Sequence, residues 1–242
     1  MTIRLLTIAL AASTLSFALV AAACGGDDGG GKLVDPANAD ALSHQALLSE
    51  KDLPGTGWTV TKSDQFNDSG IDSDTAACKD INSREAVARS KSDAARAGRA
   101  EKELSRDTAS IPTGVASEVI VFKDASTPSD VLKLFQDAVK TTNFEACLKD
   151  VVGTSVGDGT KVDTTSVSAA TSAPNGGTAV AYEFLFAVQG QNLALHFETY
   201  IWRTANVGVT VTVSGTKDDV TADLVKAAVS KMQANLEALP KK

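Results

Sequence analysis

The sequence predicts an α+β fold: an antiparallel β-sheet of about five to seven strands, a meander, with helices packed on one face and one disulfide. Three observations carry this expectation. Residues 178–213 hold three successive segments in which apolar and polar residues alternate with period two, the mark of an antiparallel meander with one buried face. Helix-period stretches flank that block instead of alternating with its strands. Two cysteines, Cys78 and Cys147, lie within the part of the chain that has the composition to fold.

Taken in order, Asp40–Glu50 reads as a short helix with Ala41, Leu42, Ala46, Leu47 and Leu48 as its apolar residues. The run Asp52-Leu53-Pro54-Gly55 breaks it. Gly57–Thr61 follows as a strand opened by Trp58, a core anchor. Ser63–Asp74 carries Asp64, Asp68, Asp72 and Asp74, yet Phe66 occupies a would-be ligand position and no glutamate closes the loop. It is therefore a solvated loop and not a calcium site. Thr75–Ala88 is helical with Cys78 on its inner face. Ala94–Arg106 reads two ways: propensity favours a helix, Gly98 opposes one, and Ala94, Ala100 and Leu104 at even positions allow a strand.

Gly114–Lys123 is a strand with Val115, Val119 and Val121 on one side. Thr127-Pro128-Ser129-Asp130 starts a helix, with threonine as cap and proline in the first turn. Val131, Leu134, Phe135, Ala138 and Val139 form its apolar face. A second short helix, Asn143–Val151, carries Cys147. Gly153–Gly159 lacks the Gly-Lys-Ser/Thr of a phosphate loop and is a turn. The meander runs through Thr178–Val188, Asn192–Arg203 and the valine ladder Val207, Val209, Val211 and Val213. A helix from about Lys217 to Leu239 closes the chain, with Leu224, Val225, Ala228, Val229, Met232 and Leu236 on one side.

The N-terminal segment has a different character. Arg4 precedes the uncharged apolar run Leu5–Val20, then come Ala21-Ala22-Ala23-Cys24 and the Gly/Asp stretch Gly25–Gly31. An uncharged, largely apolar run of sixteen residues followed by small ones matches a secretory signal with its cleavage site. Ala22-Ala23-Cys24 resembles a bacterial lipobox, with Ala21 departing from the leucine preferred there. Ala21-x-Ala23 is equally a site for ordinary signal peptidase at the same bond, and the nineteen residues Leu5–Ala23 also leave room for an uncleaved anchor. The lipobox resemblance implies a diacylglyceryl group on Cys24, two chains being enough for stable anchoring. The expected organisation is a signal peptide at 1–23, a lipidated Gly-rich tether at 24–37 and a single α+β domain at 38–242.

Three cysteines in an exported chain call for an account of the odd one. Lipid on Cys24 and a Cys78–Cys147 disulfide is the economical account, with two buried free thiols as the alternative; an oxidising compartment permits the bond. The net charge of −7 and the lack of a basic stripe exclude a nucleic-acid partner. Two histidines, His44 and His196, exclude a multi-histidine metal cage.

The chain has no Gly-x-Ser-x-Gly, His-Glu-x-x-His, Cys-x-x-Cys or dinucleotide fingerprint. No catalytic residue, metal or cofactor is expected, and no enzyme. The arrangement that stands out is His196, Glu198, Tyr200 and Trp202 on one strand face. An i, i+2 His–Glu pair could orient a base, so a hydrolase using His196 and Glu198 is the remaining alternative. The tyrosine and tryptophan, apolar bodies with polar tips, make the same four residues a candidate ligand face.

The order Leu47-Leu48, Asp52-Leu53-Pro54-Gly55, Trp58, a first cysteine, a helix from Thr127-Pro128-Ser129-Asp130, a second cysteine, a meander and a terminal helix resembles a known family. It is similar to the extracellular sensor domain of certain bacterial transmembrane serine/threonine kinases and to small cell-envelope lipoproteins like it. The resemblance spans roughly residues 40–240 and implies an antiparallel sheet with helices, and ligand sensing or binding at the envelope. Some members have two disulfides where this chain has cysteines for one, and no kinase domain is present. The expected localisation is extracytoplasmic, with lipid on Cys24 anchoring the chain to the outer face of the bacterial cell membrane. The expected partners are that membrane, and a small molecule, lipid or peptide ligand or else another envelope protein.

Overall fold

The valine ladder forms the middle of the sheet. In the computed structural model, which describes residues 33–64, 74–107, 111–155, 161–169, 173–188 and 191–242, Val209, Val211 and Val213 are wholly buried on strand β7 (Val207–Gly215). Six further strands are β1 (Thr59–Ser63), β2 (Arg96–Arg106), β3 (Thr113–Phe122), β4 (Lys161–Ala169), β5 (Thr178–Val188) and β6 (Gln191–Thr204). They form one seven-stranded sheet in the order β1-β2-β3-β7-β6-β5-β4, every pair antiparallel. The sheet is thus two meanders, β1–β3 and β4–β7, joined side by side where β3 meets β7.

Among the described residues five α-helices complete the fold: α1 (Ala39–Ala46), α2 (Lys79–Ala95), α3 (Ser126–Val139), α4 (Phe144–Ser155) and α5 (Ala222–Glu237). They occupy both faces, which corrects the expected one-sided arrangement. Ile81, Ala88, Leu132, Phe135 and Leu148 of α2–α4 share a core with Phe122, Phe184, Phe197 and Ile201. Leu42, Ala46, Leu224, Met232 and Leu236 of α1 and α5 share another with Val119, Val121, Tyr200, Trp202 and the β7 valines. The cause lies in the inner strands. Val119, Ile120, Val121 and Phe122 are buried one after another in β3, and Tyr200, Ile201 and Trp202 in β6. Consecutive strand residues point to opposite faces, so both faces must be covered.

Local chemistry explains several boundaries. The start of α3 is capped by Asp124 and not by Thr127: its carboxylate accepts the amides of Ser126 at 2.9 Å and Thr127 at 2.7 Å. Those bonds, led by the one from Thr127, hold the Asp124 carboxyl below its usual range. The ambiguous Ala94–Arg106 segment divides, with α2 running to Ala95 and β2 beginning at Arg96. Trp58 is buried as expected, its indole N–H donating to the Pro54 carbonyl at 3.0 Å and Arg106 lying over the ring. The Cys78–Cys147 disulfide is present, tying the start of α2 to α4 with a Cα–Cα distance of 4.6 Å.

The fold also begins earlier than the expected boundary at residue 38. The Val34 amide donates to Asn206 Oδ1 at 2.8 Å, and Asn206 Nδ2 donates to the carbonyls of Val34 at 3.0 Å and Phe122 at 2.7 Å. Val34 and Lys241 form a β-bridge, which places the two ends of the folded chain together at the β6–β7 turn. The expectations for residues 1–32, Cys24 included, for Asp68 and Asp72, and for Gly157 and Gly159, lie outside the described residues. Among the described residues no helix is long and apolar enough to cross a membrane.

Candidate functional site

Strand β6 runs between β5 and β7, and its even-numbered residues face the α1/α5 side. The four residues expected to form a ligand face are divided by what covers them. Helix α5 packs against β7 and β6, and Trp202 and Tyr200 lie in its core, at 0% and 4% exposure. Gly177 closes in on the tryptophan: a Cβ there would meet Trp202 Cβ at 2.6 Å. Trp202 is therefore a core residue and corrects the expectation of a ligand platform; only the tip of Tyr200 reaches the polar end of the face.

His196 and Glu198 remain half-buried and do come together. Glu198 Oε1 lies 3.3 Å from His196 Nε2, and the Tyr200 hydroxyl donates to Glu198 Oε2 at 2.7 Å. Glu183, the register partner of His196 on β5, places Oε2 3.9 Å from Nδ1. The hydrogen bond from His196, with that from Tyr200, holds the Glu198 carboxyl below its usual range against the opposing effect of burial. Nε2 faces Glu198, while Nδ1 is buried 3.9 Å from Glu183 Oε2 with no hydrogen-bond partner, so neither nitrogen is offered outward as a general base. Among the described residues no group of three His, Cys, Asp or Glu is placed to hold a metal. The cluster reads as a polar lock between β5 and β6.

The opposite face of the sheet holds a feature that sequence reasoning missed. Odd-numbered residues of β2 and even-numbered residues of β3 and β7 point to the α2–α4 side. Register aligns Glu101 with Glu118 and Glu118 with Thr210; the next row runs Glu103, Ala116, Thr212, Thr199; the next Ser105, Gly114, Ser214. Helix α3 reaches β6 and α4 reaches β4 on this side, so the apolar packing stands to one side of these rows. What remains is a polar floor. Arg99 Nε donates to Glu118 at 2.6 Å and Lys62 Nζ to Glu101 at 2.8 Å, all four side chains being 12% exposed or less. Thr199 and Thr212 hydroxyls are 3.1 Å apart, and the Tyr182 hydroxyl is 3.4 Å from Thr199. A signal was available: charges at alternate positions 99, 101 and 103 of a strand whose other positions include Ala100 and Leu104. In an edge strand such charges face water. In an inner strand they line an interior.

No family model matches the chain, and no curated protein does. Among solved structures, the extracellular domain of PknH from Mycobacterium tuberculosis is similar, with a TM-score of 0.52 and 11% identity, covering 83% of this chain and 96% of that domain. At this identity the likeness is one of fold, and it agrees with the antiparallel sheet and helices that the sequence pattern implied: this chain shares the fold of a bacterial extracellular domain.

Proposed function

We propose that the chain is an extracytoplasmic lipoprotein, anchored by lipid on Cys24 to the outer face of the bacterial cell membrane, whose domain is a sensor-like module that binds a ligand. The observation that carries the binding part is the polar floor on β2, β3 and β7. Ionic and hydroxyl groups in the inner strands of a sheet cost stability unless something beyond packing retains them. The Cys78–Cys147 disulfide supports an oxidising compartment. The likeness in fold to an extracellular domain supports the same address.

The termini support the geometry of such a module. Val34 is pinned beside Asn206, at one pole of the sheet. From Asn206 to Ser214 the strand advances about 26 Å at about 3.3 Å per residue. The outer rows of the floor therefore stand away from the end that would be tethered.

Cys24→Ser tests the anchor: the protein should pass from the membrane fraction to the medium, and full retention on the membrane overturns the lipoprotein reading. Native mass spectrometry of the released protein, with thermal shifts across envelope metabolites, tests binding; no bound species and flat shifts overturn it. The second reading, docking to another envelope protein, has one supporting observation. Among the described residues β1 ends the sheet, with Val60 45% exposed, and an edge strand of this kind can take up a further strand. Crosslinking in intact cells from a probe at residue 60 should then capture a partner, and capture of none removes this reading.

A further inference from the structure

We propose that the module takes the proton as an input, through His196 held between Glu183 of β5 and Glu198 of β6 as a latch that closes when the imidazole is charged. This input is separate from the ligand of the reading above and rests on other residues, on the opposite face of the sheet.

The latch stands at the margin of what α5 covers. That helix packs on β7 and β6 over Tyr200 and Trp202. Beyond them Ala194, His196 and Glu198 of β6 and Ala181, Glu183 and Leu185 of β5 are all half-buried. The side chains of His196, Glu183 and Glu198 are 16%, 21% and 22% exposed, so water, and protons with it, reaches them. Register brings the three together: His196 is opposite Glu183 across the β5–β6 pair, and Glu198 is two residues along the same strand, on the same face.

A neutral imidazole carries one N–H and one lone pair, and a carboxylate only accepts. Nε2 lies 3.3 Å from Glu198 Oε1 and Nδ1 lies 3.9 Å from Glu183 Oε2, so both nitrogens face carboxylate oxygens. With the N–H on Nε2, the neutral ring sets the Nδ1 lone pair against Glu183. In keeping with this, Nδ1 is buried with no hydrogen-bond partner, a state that costs stability. A proton taken from water onto Nδ1 turns that opposition into a donor facing an acceptor, and a shift of about 1 Å brings the pair to hydrogen-bond distance. The new bond crosses from β6 to β5 while Nε2–H stays on Glu198. Both contacts are then charge-assisted.

The groups around the ring keep this response acid-directed. On β6, the Tyr200 hydroxyl donates to Glu198 Oε2 at 2.7 Å and fixes that carboxylate. Bonds from His196 and Tyr200 hold Glu198 below the ordinary value of 4.5, so it remains an anion over the mildly acid range. On β7, the register partner of His196 is Gly215, which has no side chain to compete. The turn after it brings up Asp219, whose Cβ lies 3.4 Å from where a Cβ on Gly215 would stand and whose carboxylate accepts from the Thr216 hydroxyl at 2.6 Å. On β4, Ser166 is the register partner of Glu183, and Asp163 and Lys161 pair further along β5 with Leu185 and Ala187. Closing the latch reaches past two strands. β4 joins the sheet through β5, and α4 packs on β4, so whatever draws β5 onto β6 orders that whole flank.

The test uses the chain lacking residues 1–23 and carrying Cys24→Ser, which contains every described element, taken from pH 8 to pH 5 at low salt. Imidazole nitrogen NMR reads His196, with His44, 50% exposed and 3.8 Å from Asp64, as the reference in the same spectrum. His196 Nδ1 should pass from a lone-pair nitrogen to a bonded N–H. Amide protection factors at Glu183 and Leu185 should rise, while those at Val119 and Val121 of β3 stay level. In urea, the folded-to-unfolded ratio of the wild type should gain about tenfold over this span relative to Glu183→Gln, which keeps the shape and loses the charge. The sign follows from where the proton sits: the contribution is present at the acid end, where the ring is charged, and is lost as pH rises and the proton leaves. His196→Gln should behave as Glu183→Gln does; should it fail to fold, Glu183→Gln and the wild-type spectra carry the comparison. An N–H on Nδ1 already at pH 8, or a lone pair still there at pH 5, overturns the proposal. So does a charged ring without added protection in β5, and so does a Glu183→Gln protein with the wild-type pH response. None of these results bears on the ligand reading, which native mass spectrometry tests.

Discussion

Replacing Cys78 and Cys147 together by alanine removes a cross-link that closes a 69-residue separation in the chain. On the chain-entropy account the unfolded state regains about 15 cal/mol/K, or about 4 kcal/mol at 25 °C. A domain of this size loses about 2–4 °C of Tm per kcal/mol, so the expected fall is about 8–16 °C. Alanine also withdraws two sulfurs from a core where both residues are almost wholly buried, and reduction of the wild-type protein separates the two effects, since it opens the ring and keeps the atoms. The bond ties the start of α2 to α4, both on the α2–α4 face. Its loss should therefore lower amide protection in those helices more than in α5, which packs on the other face. Calorimetry of oxidised, reduced and double-alanine protein, with hydrogen exchange on each, is the measurement. A fall below about 2 °C on reduction, or equal loss of protection in α5, would refute the reasoning.

Three further outcomes follow from other contacts. Glu198 is held more acidic by His196 and Tyr200, so its stabilising contribution is present above the ordinary glutamate value of 4.5 and is lost as pH falls through the lower folded value; the stability gap between wild type and Glu198→Gln in urea should narrow on acidification below 4.5, and a flat gap from pH 7 to 3 contradicts it. Trp202→Ala empties a wholly buried site and should cost about 3–5 kcal/mol; a surface-like change under about 0.5 kcal/mol would return the indole to the ligand face. Asn206→Ala leaves the Val34 and Phe122 groups without their side-chain partner; it should cost about 1–3 kcal/mol and expose the Val34 amide to exchange, and unchanged protection there rejects the pin.

The elements that the sequence made legible are those in which burial follows a single period. The sequence pattern places β5, β6 and β7 within a few residues of where they lie, because each gives most of one set of alternate positions to apolar side chains. The cysteine pair was legible by count and place. β4 carries no strand signal in the sequence. Lys161–Ala169 is rich in Ser and Thr and, among the described residues, pairs with β5 at the sheet's edge. β2 stayed ambiguous for a different reason. Ala, Arg, Glu and Lys favour a helix intrinsically, and what makes the segment a strand is tertiary: α1 sits so close that a Cβ on Gly98 would lie 2.5 Å from the Ala39 carbonyl carbon. The glycine that looked like a weak helix residue is a contact surface.

The candidate sites were legible in proportion to how local they are. The His196–Glu198 pair could be read from an i, i+2 spacing, since two residues apart on a strand means the same face. Whether that face was open could not be, because α5, some twenty residues further along the chain, decides it by covering Tyr200 and Trp202 and stopping short of His196. The polar floor required three strands to be aligned at once. Glu101, Glu118 and Thr210 are adjacent only through the β2–β3 and β3–β7 registers, and each alone resembles an ordinary outward residue. Thr210 and Thr212 alternate with valines as any amphipathic strand would. Their meaning changes once β7 is known to be the middle strand of seven, for the middle of a sheet has no outward side. A hydroxyl buried there with no partner then becomes the most informative atom on that face.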